Sequence, residues 1–175
     1  GIVVPYDEND ALAAIDIASE MRVPILARGA GTSQCGQTVG EALIIDNTRY
    51  LKGISDFDAQ ARTVVVQPGV VLDQLNAWLK PHGLWFPVDV STSAQATIGG
   101  MAGNNSCGSR SIAYGNMVHN VLGIDAVLAD GTQQYFGAFG DNDPNALRSA
   151  RASSLVSQLF EIGQREKSRI EQNYP

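Results

Sequence analysis

Apolar residues along this chain change their spacing several times, and each change marks an element. From Asn9 to Met21, Leu12, Ile15 and Met21 fall near helical spacing, with alanines between them and an Asx residue placed to cap the start. That pattern predicts a helix. Val23 to Ala27 is a short apolar run opened by Pro24 and reads as a strand. Residues 28–40 form a glycine-rich loop, and Ala42 to Asp46 is another strand. Segments 54–58 and 62–69 flank Ala59-Gln60 and read as a hairpin that Pro68-Gly69 ends. Residues 70–83 read as a helix stopped by Pro81 and Gly83.

Residues 84–120 carry no sustained period and are rich in Gly, Ser, Thr and Asn. Trp85, Phe86, Ile98, Met101 and Tyr114 punctuate them, which favours an ordered, functional loop over a disordered one. Beyond it, Leu122, Ile124, Ala126 and Leu128 alternate with Val121, Gly123, Asp125 and Val127, as a strand requires. Asp130-Gly131 then turns the chain into a second strand ending at Phe136. Residues 153–174 read as a helix with Leu155, Leu159 and Ile162 on one stripe. The sum is an α+β fold with several short strands and no repeat.

Composition narrows the picture. Of 175 residues, 44% are hydrophobic and 17% charged, which is enough apolar surface for a core in one domain or two small lobes. A net charge of -6 argues against nucleic acid as a partner. No apolar run approaches the roughly 20 residues that cross a bilayer, and no signal peptide is visible. Cys35 and Cys107 show no spacing that binds zinc or an iron–sulfur cluster, so no metal site is expected and a reducing, cytoplasmic compartment is. The 18 glycines concentrate in two bursts, 29–40 and 99–115, where unusual backbone is expected.

The first burst nearly fits two phosphate loops. As G-x-x-x-x-G-K-[ST], it runs from Gly31 to Gly36 but has Gln37 in the lysine position before Thr38. As G-x-G-x-x-G, it has Gly29 and Gly31 but Gln34 in the last glycine position. Both of those loops lead into a helix whose N-terminus faces the phosphate. Here the loop leads into a strand. What remains is a run of backbone N–H groups from Gly29 to Ser33, suited to a diphosphate held without a metal, with Thr32 and Ser33 hydroxyls beside it. A plain surface turn is the competing reading. The second burst adds Thr97 as an N-cap, Ile98-Gly99-Gly100 and Asn104-Asn105-Ser106. A helix N-terminus there can face the same diphosphate, so the two segments can form two sides of one cleft.

Three segments in this order, VPILARGAGTSQCGQ (23–37), PVDVSTSAQATIGGMAGNNSCGSRSIAYGN (87–116) and VLGIDAVLADG (121–131), resemble the FAD-binding domain of FAD-linked oxidases of the vanillyl-alcohol-oxidase type. The wording is most similar to the branch holding D-lactate, glycolate and D-2-hydroxyglutarate dehydrogenases, and the resemblance runs from about Ile2 to Tyr174. It implies the PCMH-type FAD-binding domain, two α+β subdomains with FAD between them, here about 1–83 and 84–175. It implies that Arg28, Gly29, Ala30, Gly31, Thr32 and Ser33 wrap the pyrophosphate. Pro87, Thr97, Ile98, Gly99, Gly100, Asn104, Gly108, Ser109, Tyr114 and Gly115 line the other side, toward the flavin. Ile124 lies on a strand near the adenine end. Relatives that bind flavin covalently through this loop carry His after the second glycine; Thr32 stands there in this chain, so FAD is expected to be non-covalent.

The resemblance also implies a function. The intact enzyme takes a hydride from the α-carbon of a small 2-hydroxy acid onto flavin N5 and passes electrons to a quinone, an iron–sulfur domain or a flavoprotein carrier. It is expected in the cytoplasm, peripheral to the inner membrane. The family places its substrate arginine, active-site histidines and metal ligands in a C-terminal cap domain that these residues do not contain. No catalytic residue is therefore named, and the chain is expected to be an excised fragment, inactive alone. Two alternatives are an enolpyruvyl-UDP-sugar reductase-type flavoenzyme, which NNSCGSRSIAYGN argues against, and a non-catalytic flavin-binding or electron-relay subunit. A metal-dependent nucleotide hydrolase is opposed by Gln37.

Single residues carry weaker signals. His82, in Pro-His-Gly, reads as a solvated cap residue, and His119 as structural. Cys35 and Cys107 read as small buried residues, a disulfide being the other reading. Arg28 either pairs with a pyrophosphate or, slightly favoured, braces the loop through its carbonyls. Tyr114 either stacks near the flavin or fills the core. Asp89 reads as an acceptor for loop N–H groups.

Overall fold

Ile2–Val3, Ile25–Arg28 and Leu43–Asp46 (β1, β2 and β3) form a parallel sheet in the order β1-β3-β2 in the computed structural model, which describes residues 1–137 and 150–174. Ile25 lies opposite Leu43 and Arg28 opposite Asp46. Between β1 and β2 runs α1 (Glu8–Glu20), whose Asp7 cap accepts from the Asp10 N–H at 3.0 Å and whose buried face is Ala14 and Ala18, one turn apart. Parallel neighbours need a long crossover. From β2 to β3 that crossover is the first glycine loop, so the strand–loop–strand order expected from the sequence is present.

Ile54–Asp58 and Thr63–Val66 (β4 and β5) form an antiparallel hairpin. Its turn is closed by Asp58 Oδ1, which accepts from Gln60 and Ala61 N–H at 2.8 and 2.9 Å. Leu72–Leu79 (α2) follows and ends in a 3-10 turn, Lys80–His82. Leu72, Leu75 and Leu79 make one buried stripe, and Val70, Val88, Ala96, Ile98, Met101 and Met117 complete the core with them. Three short helices interrupt the segment expected to be irregular: α3 (Ile98–Gly103), α4 (Ser111–Tyr114) and α5 (Met117–Asn120). Because this core draws on residues either side of Gly83, the first compact unit runs from Gly1 to Leu122 rather than closing near residue 83.

The second unit is Gly123–Pro175. Ile124–Val127 and Gln133–Phe136 (β6 and β7) pair antiparallel, with Ile124 opposite Phe136. Ala150–Asn173 is a helix, α6, anchored by the buried Ala152 and by Arg151, which lies 3.7 Å from Asp130. Among the described residues, no helix is long and apolar enough to cross a membrane.

Candidate functional site

At the end of β2 the backbone leaves the sheet at Arg28. Among the described residues, none of the N–H groups from Gly29 to Ser33 donates a hydrogen bond to the protein. Gly31 holds φ at +70°, a conformation in which a side chain is strained. A β-carbon there would also stand 2.8 Å from Arg28 Nη2, so the guanidinium packs against the face that glycine leaves open. Arg28 makes no hydrogen bond to the loop carbonyls among the described residues, which corrects the bracing reading, and its Nε is buried without a partner. Gln37, in the place of a Walker lysine, donates instead to Ser33 Oγ at 2.5 Å.

The second segment is pinned before it reaches the loop. Val71 and Thr97 form an isolated antiparallel bridge. Ile98 and Gly99 N–H donate to the Val70 and Pro68 carbonyls at 2.8 and 3.0 Å, and Gly100 N–H donates to the Thr97 hydroxyl at 3.4 Å. The first turn of α3 therefore has its donors consumed by the protein, and the expectation that this helix end faces an anion is corrected. The glycines here also answer to packing. A β-carbon on Gly99 would meet Pro68 at 2.5 Å, and one on Gly29 would meet the Thr97 hydroxyl.

Together the two segments enclose a cleft of about 690 Å³ within the first unit. Of the expected residues, Arg28, Gly29, Ala30, Gly31, Thr32, Ser33, Thr97, Gly99, Gly100 and Asn104 line it. Pro87, Ile98, Gly108, Ser109, Tyr114 and Gly115 belong to the same unit but stand outside that lining. Ile98 is a core residue, and Gly108 packs against Asp89. Gly115 ends α4 at φ +78°. Tyr114 meets Trp85 edge-on at 5.2 Å and is half exposed, so it does not fill the core. Ile124 lies in the second unit, on β6. Sequence reading missed Asn47 and Pro68 on the wall. The only signal for them was turn chemistry after a strand, which does not say what the turn faces.

The remaining polar groups build structure. Asp89 accepts from Ser109 Oγ at 2.8 Å and Arg110 N–H at 3.1 Å, and these two bonds hold its carboxyl below the usual carboxylate range. His119 Nδ1 accepts from Asn116 N–H and caps α5. His82 lies 4.5 Å from the Phe57 ring and 5.3 Å from Trp78. Cys35 and Cys107 are free and exposed rather than buried or bridged. Among the described residues, no cluster suits a metal ion.

The cleft is thus rich in donors and poor in groups that exchange protons. Among the described residues its lining contains no carboxylate and no histidine, only Arg28 and Cys107 as titratable side chains. Unpaired backbone donors beside a partnerless guanidinium nitrogen fit the diphosphate of a dinucleotide such as FAD. That arrangement is suited to binding and orienting a ligand.

Comparison with known proteins agrees with this geometry. A family model described as the FAD binding domain matches residues 1–137. The D-2-hydroxyglutarate dehydrogenase of Pseudomonas putida is 33% identical over 99% of this chain and 18% of its own length. That of Escherichia coli is 36% identical over 74% of this chain and 13% of its own. The glycolate oxidase subunit GlcD of Bacillus subtilis is 36% identical over 74% and 28% respectively. This chain therefore spans less than a third of the length of these relatives. Among solved structures, an alkyldihydroxyacetonephosphate synthase superposes with a TM-score of 0.68 at 21% identity, covering 81% of this chain and 26% of that one. Phl p 4, a grass pollen allergen with glucose dehydrogenase activity, gives 0.67 at 22%, covering 77% and 28%. At such identities the superpositions speak to the fold alone.

Proposed function

Because this chain belongs to the FAD binding domain family, we propose that its cleft holds FAD without a covalent bond and that the chain is the flavin-binding module of a 2-hydroxy-acid dehydrogenase. The observation that carries the reading is the run of unpaired N–H groups from Gly29 to Ser33 beside the partnerless Arg28 Nε. These donors would hold the diphosphate, and the Thr97–Cys107 wall would carry the rest of the cofactor. FAD, when bound, supplies the hydride acceptor. The chain's own residues bind and orient it and keep its diphosphate paired.

The substrate class follows from the relatives: a small 2-hydroxy acid such as the D-2-hydroxyglutarate named for two of them. Electrons would leave to a quinone, an iron–sulfur domain or a flavoprotein carrier, in an enzyme of the cytoplasm peripheral to the inner membrane. The group that takes the hydroxyl proton would come from outside the described cleft lining, which among the described residues has no carboxylate or histidine.

The test is a titration of the 175-residue chain with FAD, followed by quenching of flavin fluorescence. Saturable binding of one FAD per folded chain is expected. A folded chain that leaves FAD fluorescence unchanged overturns the reading.

A further inference from the structure

Three asparagines line the cleft, and two already use their side chains within the protein. Asn104 Nδ2 donates to Ser106 Oγ at 3.2 Å, and Asn105 Oδ1 accepts from Val118 N–H at 3.0 Å. The third, Asn47, is different: among the described residues its half-buried carboxamide makes no hydrogen bond. Its backbone, by contrast, is fixed on every side. Asn47 N–H donates to the Arg28 carbonyl at 3.0 Å. Its own carbonyl abuts Gly69 so closely that a β-carbon there would collide with it. The turn around it is locked by Asp46 Oδ1, which accepts from Thr48 N–H at 2.8 Å and Thr48 Oγ1 at 2.6 Å. A free amide on a rigid frame, next to the root of the anion-ready loop, is a preorganised donor.

We propose that Asn47 is a further ligand-positioning residue of this cleft, donating its side-chain N–H to an oxygen of the bound diphosphate. This rests on the FAD reading above. The position selects the diphosphate over the rings, because Asn47 is bonded through its backbone to Arg28 and lines the same cleft as the unpaired Arg28 Nε and the Gly29–Ser33 donors. The Asn47 amide is not among the buried unpaired atoms, so it reaches solvent in the free cleft and is available to a ligand that displaces that solvent.

The test compares the wild-type chain with Asn47→Ala and Asn47→Asp, each checked for folding by circular dichroism, using FAD and ADP as probes. Loss of one hydrogen bond to a charged acceptor corresponds to about 10- to 100-fold weaker binding of both probes in Asn47→Ala. Asn47→Asp should bind more weakly still, and its deficit should shrink as salt rises, because a carboxylate there repels the phosphates. An independent readout needs no variant binding data: in the wild type, the Asn47 side-chain NH₂ resonances should move with ADP and stay still with adenosine. A folded Asn47→Ala that binds FAD within twofold of wild type overturns this inference alone, as do NH₂ resonances that ignore ADP. A wild type that binds no FAD overturns the cofactor reading and this inference with it.

Discussion

Gly31 joins two requirements in one residue. Its φ of +70° excludes an unstrained side chain, and the Arg28 guanidinium occupies the space a β-carbon would need. Left-handed backbone costs a side chain about 1–2 kcal/mol, which a folded domain tolerates. Displacing Arg28 and re-aiming the neighbouring N–H groups costs binding instead, at about 1.5–3 kcal/mol for each charge-assisted bond lost. Gly31→Val should therefore stay folded and bind FAD at least about 100-fold more weakly, while Thr32→Ala, which keeps every backbone donor, should be milder. Flavin content per folded chain is the measurement; a folded Gly31→Val with full flavin would show the loop to be only a turn. Asp89 gives a pH prediction. Its carboxyl is depressed by Ser109 and Arg110 below the ordinary value of 3.8. A depressed carboxylate stabilises the fold fully above that ordinary value and loses its contribution as pH falls through the folded-state pKa. Tm should fall more steeply in wild type than in Asp89→Asn below pH ~4, and parallel curves would remove Asp89 from the ledger of acid sensitivity.

At the scale of elements, α3 is held by its start rather than its length. Six residues with three glycines cannot sustain a helix by propensity. Thr97, almost fully buried, caps it, and the Pro68 and Val70 carbonyls take its next donors. Removing an N-cap hydroxyl typically costs about 1 kcal/mol. Thr97→Ala should lower stability by about that much, Thr97→Ser by less, and Gly99→Ala by more, because its new β-carbon would press on Pro68. Urea unfolding midpoints rank the three; a neutral Gly99→Ala would mean that the Pro68 contact yields. These same features mark what sequence could show. α1, α2, α6 and strands β2 to β7 were legible as countable periods or as short apolar runs bounded by turn residues, whereas the two residues of β1 were too few to read. α4 and α5 were hidden in residues 84–120 and α3 was announced only by its cap, since four to six residues cannot display a 3.6-residue period. Thr97 was readable as a cap, but not that Val70 and Pro68 use up the donors it opens. That depends on a bridge between residues distant in sequence. Asn47 was illegible for the same reason: its neighbourhood is made by β2 pairing with β3.

For the molecule as a whole, what matters is which chemistry the 175 residues can complete. The cleft offers backbone donors, a guanidinium and hydroxyls, all suited to gripping a cofactor. Among the described residues it offers neither a carboxylate or histidine base for a substrate hydroxyl nor a second cation for a substrate carboxylate, Arg28 being the one lysine or arginine of that lining. Thr32 stands where covalent relatives carry His, and a hydroxyl is a poor nucleophile without an adjacent base. The chain should consequently bind flavin reversibly and leave a 2-hydroxy acid unoxidised. Acid precipitation of the FAD-loaded chain should release all the flavin to the supernatant. Yellow colour in the pellet would demand a covalent anchor, with Cys107 on the cleft wall as the first residue to replace. The same loaded chain, given D-2-hydroxyglutarate, D-lactate or glycolate and an artificial electron acceptor, should reduce the dye at the rate of free FAD. Saturable turnover by the chain alone would place a proton-accepting group within reach of the flavin, and the residues outside the cleft lining, Asp89 and His119 first, would have to be tested by substitution.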